Sequence, residues 1–174
     1  MHERLTANRL AALATALDDA MTAETDGLSE SAVAALLVVR RSEPVPIQDI
    51  ARTIGLTHSA TVRLIDRLEE GWLVRRLSRK GREVSVETTA RGKRRASQLQ
   101  DRRIGAADAL IGALDEEERA LLAGLIDRML EVPVDGRARA ERICRLCDHG
   151  VCRGADCPVD AAADRMEAAK TGAA

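Results

Sequence analysis

The chain has 174 residues, 45% of them hydrophobic, which is enough to build a core of ordinary size. Trp72 is its only aromatic residue, with no Tyr and no Phe. That argues against single-strand and RNA readers that stack bases on aromatic platforms, and against aromatic cages for cations. Lys and Arg number 27 against 28 Asp and Glu, a formal net charge of −1, so the total alone points to no polyanionic partner.

The amino terminus, Met1-His2-Glu3-Arg4-Leu5, lacks the basic stretch followed by an apolar run that marks a secretory signal. No run approaches the ~18 apolar residues that a membrane span needs. The expected location is the cytoplasm, with no membrane partner. In that compartment four cysteines point to metal ligands or redox-active thiols rather than to a disulfide framework.

Leu5, Leu10, Leu13, Leu17 and Met21 recur at helical spacing and predict an amphipathic helix over 3–22. A turn follows at Asp26-Gly27. Ser29 is placed to cap a second, more buried helix carrying Ala32, Val33, Leu36, Leu37 and Val38, which Pro44 and Pro46 terminate. A short helix over 47–54 turns Ile47, Ile50, Ala51 and Ile54 inward, and Gly55 suits a left-handed C-cap. Thr57 can cap the next helix, 58–70, whose inward stripe is Thr61, Leu64, Ile65 and Leu68, before Gly71 ends it.

From Leu73 the periodicity falls to two. Residues 73–77 and 84–88, joined by the basic turn Ser78-Arg79-Lys80-Gly81-Arg82, predict a β-hairpin with Trp72 packed at its root. Two further helices are expected over 91–113 and 115–131. Asp115 and Glu118 form a capping-box start to the second, and Pro133 closes it. A polar spacer, a cysteine cluster and a short, frayed, Ala-rich tail complete the chain.

Helix, short helix, turn, helix, hairpin is the order of a winged helix-turn-helix. The expected fold is therefore mainly α, with a small β-hairpin wing and long dimerisation helices. The domain reading is an N-terminal dimerisation helix over 1–27, a winged helix-turn-helix DNA-binding domain over 28–90 and C-terminal dimerisation helices over 91–132. A Cys-rich metal-binding or redox segment occupies 138–160, and a tail 161–174. The outer face of the second motif helix would enter the major groove. Arg63 and Arg67 can bond guanine edges or phosphates, and the Thr57 and Ser59 hydroxyls can reach phosphates or bases. Ala60 and Val62 can meet thymine methyls, and His58 is placed for a backbone or base contact. The bland alternative pairs Arg63 and Arg67 with Asp66, Glu69 and Glu70 on a solvated helix. Charge distribution favours the first reading: residues 40–103 carry 16 Lys and Arg against 8 Asp and Glu, a net +8, and the remainder carries −9.

Leu56-Thr-His-Ser-Ala-Thr-Val-Arg-Leu-Ile-Asp-Arg-Leu-Glu-Glu-Gly-Trp-Leu-Val74, then a basic hairpin, then Thr88-Thr-Ala-Arg-Gly92, resembles the MarR family of bacterial regulators over roughly residues 5–131. The resemblance implies a homodimer that binds pseudo-palindromic double-stranded DNA, usually as a repressor. The first helix and the two long helices after the wing would pack between subunits. By family pattern the reading residues fall on Thr57, His58, Ser59, Ala60, Val62, Arg63 and Arg67, the wing-tip arginine on Arg82, and the basic tip includes Arg79 and Lys80. Lys80 stands where the family commonly has an Asp, which makes the tip more basic and puts the usual Asp–Arg pairing in doubt. Without Tyr or Phe the chain offers no aromatic walls for the phenolic effectors of many members, so no small-molecule effector is carried over.

The four cysteines fall within 14 residues, at 144, 147, 152 and 157, with His149 among them. Cysteines two residues apart form the usual knuckle for one metal, and two further thiolates complete a tetrahedral site. Zinc on Cys144, Cys147, Cys152 and Cys157 is the expected cofactor. Three cysteines with His149, an iron–sulfur cluster (Pro158 follows the last cysteine), a metal-free redox switch and incidental cysteines in a disordered tail are the alternatives. Such a site could be structural or could sense metal or redox state.

No nucleophile–base pair, open metal position or Gly-rich phosphate loop supports an enzyme. The rival from another class is a winged helix that binds an acidic protein partner.

Overall fold

The structure is a computed structural model and describes residues 2–22, 25, 27–78, 83–152 and 156–172. In chain order the elements are α1 (His2–Thr22), α2 (Glu30–Ser42), β1 (Val45–Pro46), α3 (Ile47–Ile54), α4 (His58–Glu70), β2 (Val74–Arg76), β3 (Ser85–Thr88), α5 (Ala90–Ile111), α6 (Glu116–Glu131), α7 (Arg137–Ile143), a single 3-10 turn (Cys144–Leu146) and α8 (Pro158–Gly172). Mainly helical with a small sheet, this is the winged helix-turn-helix the sequence predicts. Among the described residues no helix is long and apolar enough to cross a membrane.

The caps act where short polar side chains stand before helical runs. Ser29 Oγ accepts from the Ala32 amide at 3.2 Å, Thr57 Oγ1 from Ala60 at 3.2 Å, and Thr89 Oγ1 from Gly92 at 3.0 Å. Asp115 and Glu118 exchange both bonds of a capping box, at 3.0 and 2.9 Å. Every residue of α2 from Ala32 to Val39 is buried. A helix apolar on all sides becomes the centre of a core. Here α3, α4, the sheet and the first half of α5 wrap it, contributing Ile50, Leu64, Ile65, Leu68, Val86, Ala96 and Leu99.

The sheet has three antiparallel strands in the order β1-β3-β2, with Val45 opposite Val86 and Val74 opposite Thr88. The expected hairpin is present as β2 and β3. The third strand, β1, was not predicted, because a two-residue strand ending in Pro46 is too short to show alternation.

Two further expectations change. Trp72 does not pack at the hairpin root: it is 73% exposed, with φ 57°. Its amide bonds Glu69 O at 2.9 Å and that of Leu73 bonds Leu68 O at 2.9 Å, and this left-handed end to α4 sends Leu73 rather than Trp72 into the core. The C-terminal region is not a spacer and a frayed tail. α8 runs unbroken across the expected boundary at 160/161, and with α7 it buries a second core of Val134, Ala140, Cys144, Cys157, Val159, Ala162 and Ala163. Alanine and valine give so weak a periodic signal that this core was hidden in the sequence.

Gly92 and Glu43 tie the wing to the helices. A Cβ on Gly92 would lie 1.8 Å from the Leu73 carbonyl oxygen, so only glycine lets α5 start this close to β2. Gly92→Ala is expected to lower the unfolding free energy by ~3 kcal/mol or more, read by urea denaturation; a loss below ~1 kcal/mol would contradict the close approach.

The Glu43 carboxylate accepts from the Thr88 amide at 2.7 Å and its hydroxyl at 2.5 Å, and meets Lys93 Nζ at 2.6 Å. Burial opposes its charge, but the bonds from Lys93 and Thr88 outweigh burial and hold its pKa below the ordinary 4.5. A carboxylate with a lowered folded pKa stabilises above its unfolded pKa, and that contribution is lost as pH falls through the folded value. The stability gap between the native protein and Glu43→Gln should therefore be full at pH 7 and shrink as pH falls below about 4.5. A gap independent of pH between 7 and 3 would contradict it.

Candidate functional site

Two places concentrate chemistry: the outer face of α4 with the wing, and the cysteine cluster. α3 and α4 meet through a tight turn. The Gly55 and Leu56 amides both bond Ala51 O at 3.0 Å, and Gly55 takes φ 74°, a conformation glycine adopts without cost. Thr57 then resets the backbone to an extended conformation and caps α4. On the inner face Thr61, Leu64, Ile65 and Leu68 are buried, and the Thr61 hydroxyl is satisfied by Thr57 O at 3.0 Å.

Of the residues assigned to reading, Thr57, His58, Ser59, Arg63 and Arg67 are exposed and Ala60 is half-buried. Val62 is half-buried and packs against the core, so it faces outward less than the helical pattern suggested. Thr57 Oγ1 is engaged by its cap and lies 3.3 Å from Ser59 Oγ. Among the described residues Arg63 Nε makes one long bond, 3.4 Å, to Ser59 O one turn back. Arg79, Lys80 and Arg82 lie outside the described residues.

Sequence reasoning missed Arg76. From β2 its backbone amide donates to Glu69 Oε1 at 2.9 Å. Its guanidinium bonds the Glu69 carboxylate, Asp66 at 2.6 Å and Val62 O at 3.4 Å. This pins the wing to α4 and occupies two of the acids that the bland alternative assigned to Arg63 and Arg67. Among the described residues, neither Arg63 nor Arg67 forms an ion pair. Asp66 and Glu69 share a helix face three residues apart, and the first basic pair of the following strand could have signalled their partner.

The cysteines carry free thiols. Cys144 and Cys157 are buried, Cys152 is half-buried and Cys147 is exposed. The thiols lie close enough, in the order Cys147, Cys144, Cys157, Cys152, to shift one another's ionisation. A hydrogen bond from the Cys144 thiol, together with the nearby charges of Arg103 and Arg41, lowers the Cys147 pKa to about 7. Donating that bond, with burial added, pushes Cys144 well above the ordinary thiol range. Burial raises Cys152 to about 11, with the bond to Cys157 adding to it. Among the described residues no group of three or more His, Cys, Asp or Glu side chains is gathered as a ready-made metal cage. His149 Nε2 lies 2.5 Å from Arg41 Nη1 and 3.4 Å from Cys144 O. Burial and the Arg41 charge both lower its pKa.

Residues 26–82 match the sequence model of the MarR family. No curated protein matches the chain. Among solved structures, the YusO protein from Bacillus subtilis is 19% identical with a TM-score of 0.68, over 76% of this chain and 99% of that one. FabT of Streptococcus pneumoniae, solved in complex with DNA, is 14% identical with a TM-score of 0.60, over 74% and 94%. A MepR variant of S. aureus, bound to an oligodeoxyribonucleotide, is 16% identical with a TM-score of 0.58, over 72% and 95%. These structures are covered almost end to end, while about a quarter of this chain is unmatched in each of them.

Proposed function

From a chain whose winged-helix segment is of the MarR family, we propose a cytoplasmic, homodimeric transcription regulator that inserts α4 into the major groove of a pseudo-palindromic operator. The repressor role follows from the family resemblance. It is a regulator and not an enzyme. The observation that carries the reading is the state of Arg63 and Arg67: exposed on the outer face of α4 and without ion pairs among the described residues, while Arg76 holds Asp66 and Glu69. Arginines without internal ion pairs can bond guanine edges bidentately or neutralise phosphates. FabT and MepR, which share the fold, are seen with DNA.

A homodimer is supported by apolar surface that one chain leaves uncovered. α6 has no buried residue, and Leu121, Leu125, Ile126, Met129 and Val132 are exposed along it and its end. Leu5, Leu10 and Leu13 of α1 and Leu110 of α5 add to this surface. A second copy covers these faces and sets two α4 helices about one DNA turn, ~34 Å, apart.

The reading extends to one zinc ion on Cys144, Cys147, Cys152 and Cys157. Four cysteines within 14 residues supply the donor set of a closed tetrahedral site, which the metal would have to draw together, since the described side chains do not form a cage by themselves. Loading zinc displaces four thiol protons and leaves the site with a net charge of −2, which Arg41 and Arg103 beside Cys147 offset. The engagement of His149 with Arg41 favours four cysteines over three with a histidine.

Titrating the protein into duplexes selected from a random pool tests the DNA reading. Specific binding should fall steeply with salt. Arg63→Ala should weaken it by about 1–3 kcal/mol, more on the selected site than on unrelated duplex. Failure to select any duplex, with tight capture of an acidic protein instead, would overturn the reading in favour of a protein-binding winged helix.

A further inference from the structure

The cysteine module touches both the first helix of the helix-turn-helix, through α7, and the end of α6, through α8, and its cysteines lie in the chain between α7 and α8. On the reading-head side, α7 packs on α3. Glu141 lies 3.7 Å from Arg52 Nε, and the Arg142 side chain covers the turn glycine, with Nε 3.3 Å from where a Gly55 Cβ would stand. The 3-10 turn that follows sends Leu146 into the main core. The Leu146 carbonyl accepts from the buried Gln100 amide at 3.1 Å, and Arg145 reaches Glu30 of α2 at 2.5 Å.

On the dimerisation side, α8 packs on α6. Arg165 meets Glu131 at 2.7 Å, and Leu130 lies against the second core. Arg137, at the start of α7, bonds Asp160, Asp164 and Glu167 along α8.

Cys144 sits where α7 passes into the 3-10 turn, and Cys157 immediately precedes α8. Both are buried in the second core, whose other buried members among the described residues are Val134, Ala140, Val159, Ala162 and Ala163. So few methyl groups bury little apolar surface, and at such a site a bound metal dominates the folding energy. Metal at the sulfurs would therefore govern how firmly α7 and α8, and through them α3 and α6, are held together.

We propose that this module is a metal-set strut. Zinc bound by Cys144, Cys147, Cys152 and Cys157 fixes the reading head relative to the dimerisation helices, and loss of the metal releases the head and lowers operator affinity. The inference rests on the four-thiolate reading above and adds to it a regulatory direction and a mechanical route. That route runs from the sulfurs through Glu141, Arg142 and Arg145 to α3 and α2, and from α3 to α4, against which α3 packs.

The full-length protein tests the strut as purified, after stripping with a chelator, and after reloading with zinc. Metal content is read by elemental analysis, oligomeric state by sedimentation, and affinity by anisotropy on a selected duplex. One zinc per chain is expected. Stripping should leave a dimer whose affinity is at least tenfold lower, and zinc should restore it. The double variant Glu141→Ala, Arg145→Ala leaves every cysteine in place. It should still bind one zinc, but its affinity should change less than twofold on stripping.

Protein that takes up no metal, or that holds an iron–sulfur cluster instead, overturns the zinc reading and the strut with it. Stoichiometric zinc whose removal leaves affinity within twofold overturns the strut alone. So does a full metal response in the double variant, or an affinity loss that comes from dissociation into monomers.

Discussion

The guanidinium of Arg76 decides what the surface of α4 can do. It rises from β2 to bond the carboxylates of Asp66 and Glu69, and the same residue's amide adds a third link to Glu69. One side chain thereby fixes the wing against α4 and removes two negative charges from the helix that carries Arg63 and Arg67. A basic chain segment becomes a basic face only if its acids are spent internally. Here the +8 over residues 40–103 is made usable by this arrangement rather than by composition.

Beneath that surface, position is set by burial. α2 is enclosed on every side, and α3 and α4 are held to it by Ile50, Leu64, Ile65 and Leu68. The turn between α3 and α4 relies on Gly55, and the start of α5 beside β2 relies on Gly92. Each glycine fixes an angle or an approach that another residue would disturb. The long helices differ. No residue of α6 is fully buried within one chain: Leu130 lies against the second core, and much of the helix's remaining apolar surface is exposed.

The winged helix was legible because its signals are local and strong. Thr57 before an apolar stripe, Gly55 after another and the switch to alternation at Leu73 each specify one local geometry, and the boundaries of α3 and α4 follow from them. β1 was not legible, since its identity comes from pairing with Val86, which lies far along the chain. Trp72 was misread because a large apolar residue suggests burial, whereas its left-handed backbone hands that role to Leu73. The cysteines were visible as a cluster, but not as the centre of a core packed against both α3 and α6. That core is built from alanine, valine and sulfur, whose pattern carries little hydrophobic contrast. The role of Arg76 was hidden for a related reason: ion pairs between elements leave no periodic trace.

The account stands most directly on the claim that α4 reads DNA with arginines kept free by Arg76. Its most direct measurement is the affinity of Arg76→Gln for a selected duplex, taken alongside its unfolding curve. Because Asp66 and Glu69 are released next to Arg63 and Arg67, binding should weaken at least several-fold while the protein remains folded. Undiminished affinity in a folded Arg76→Gln protein would contradict it.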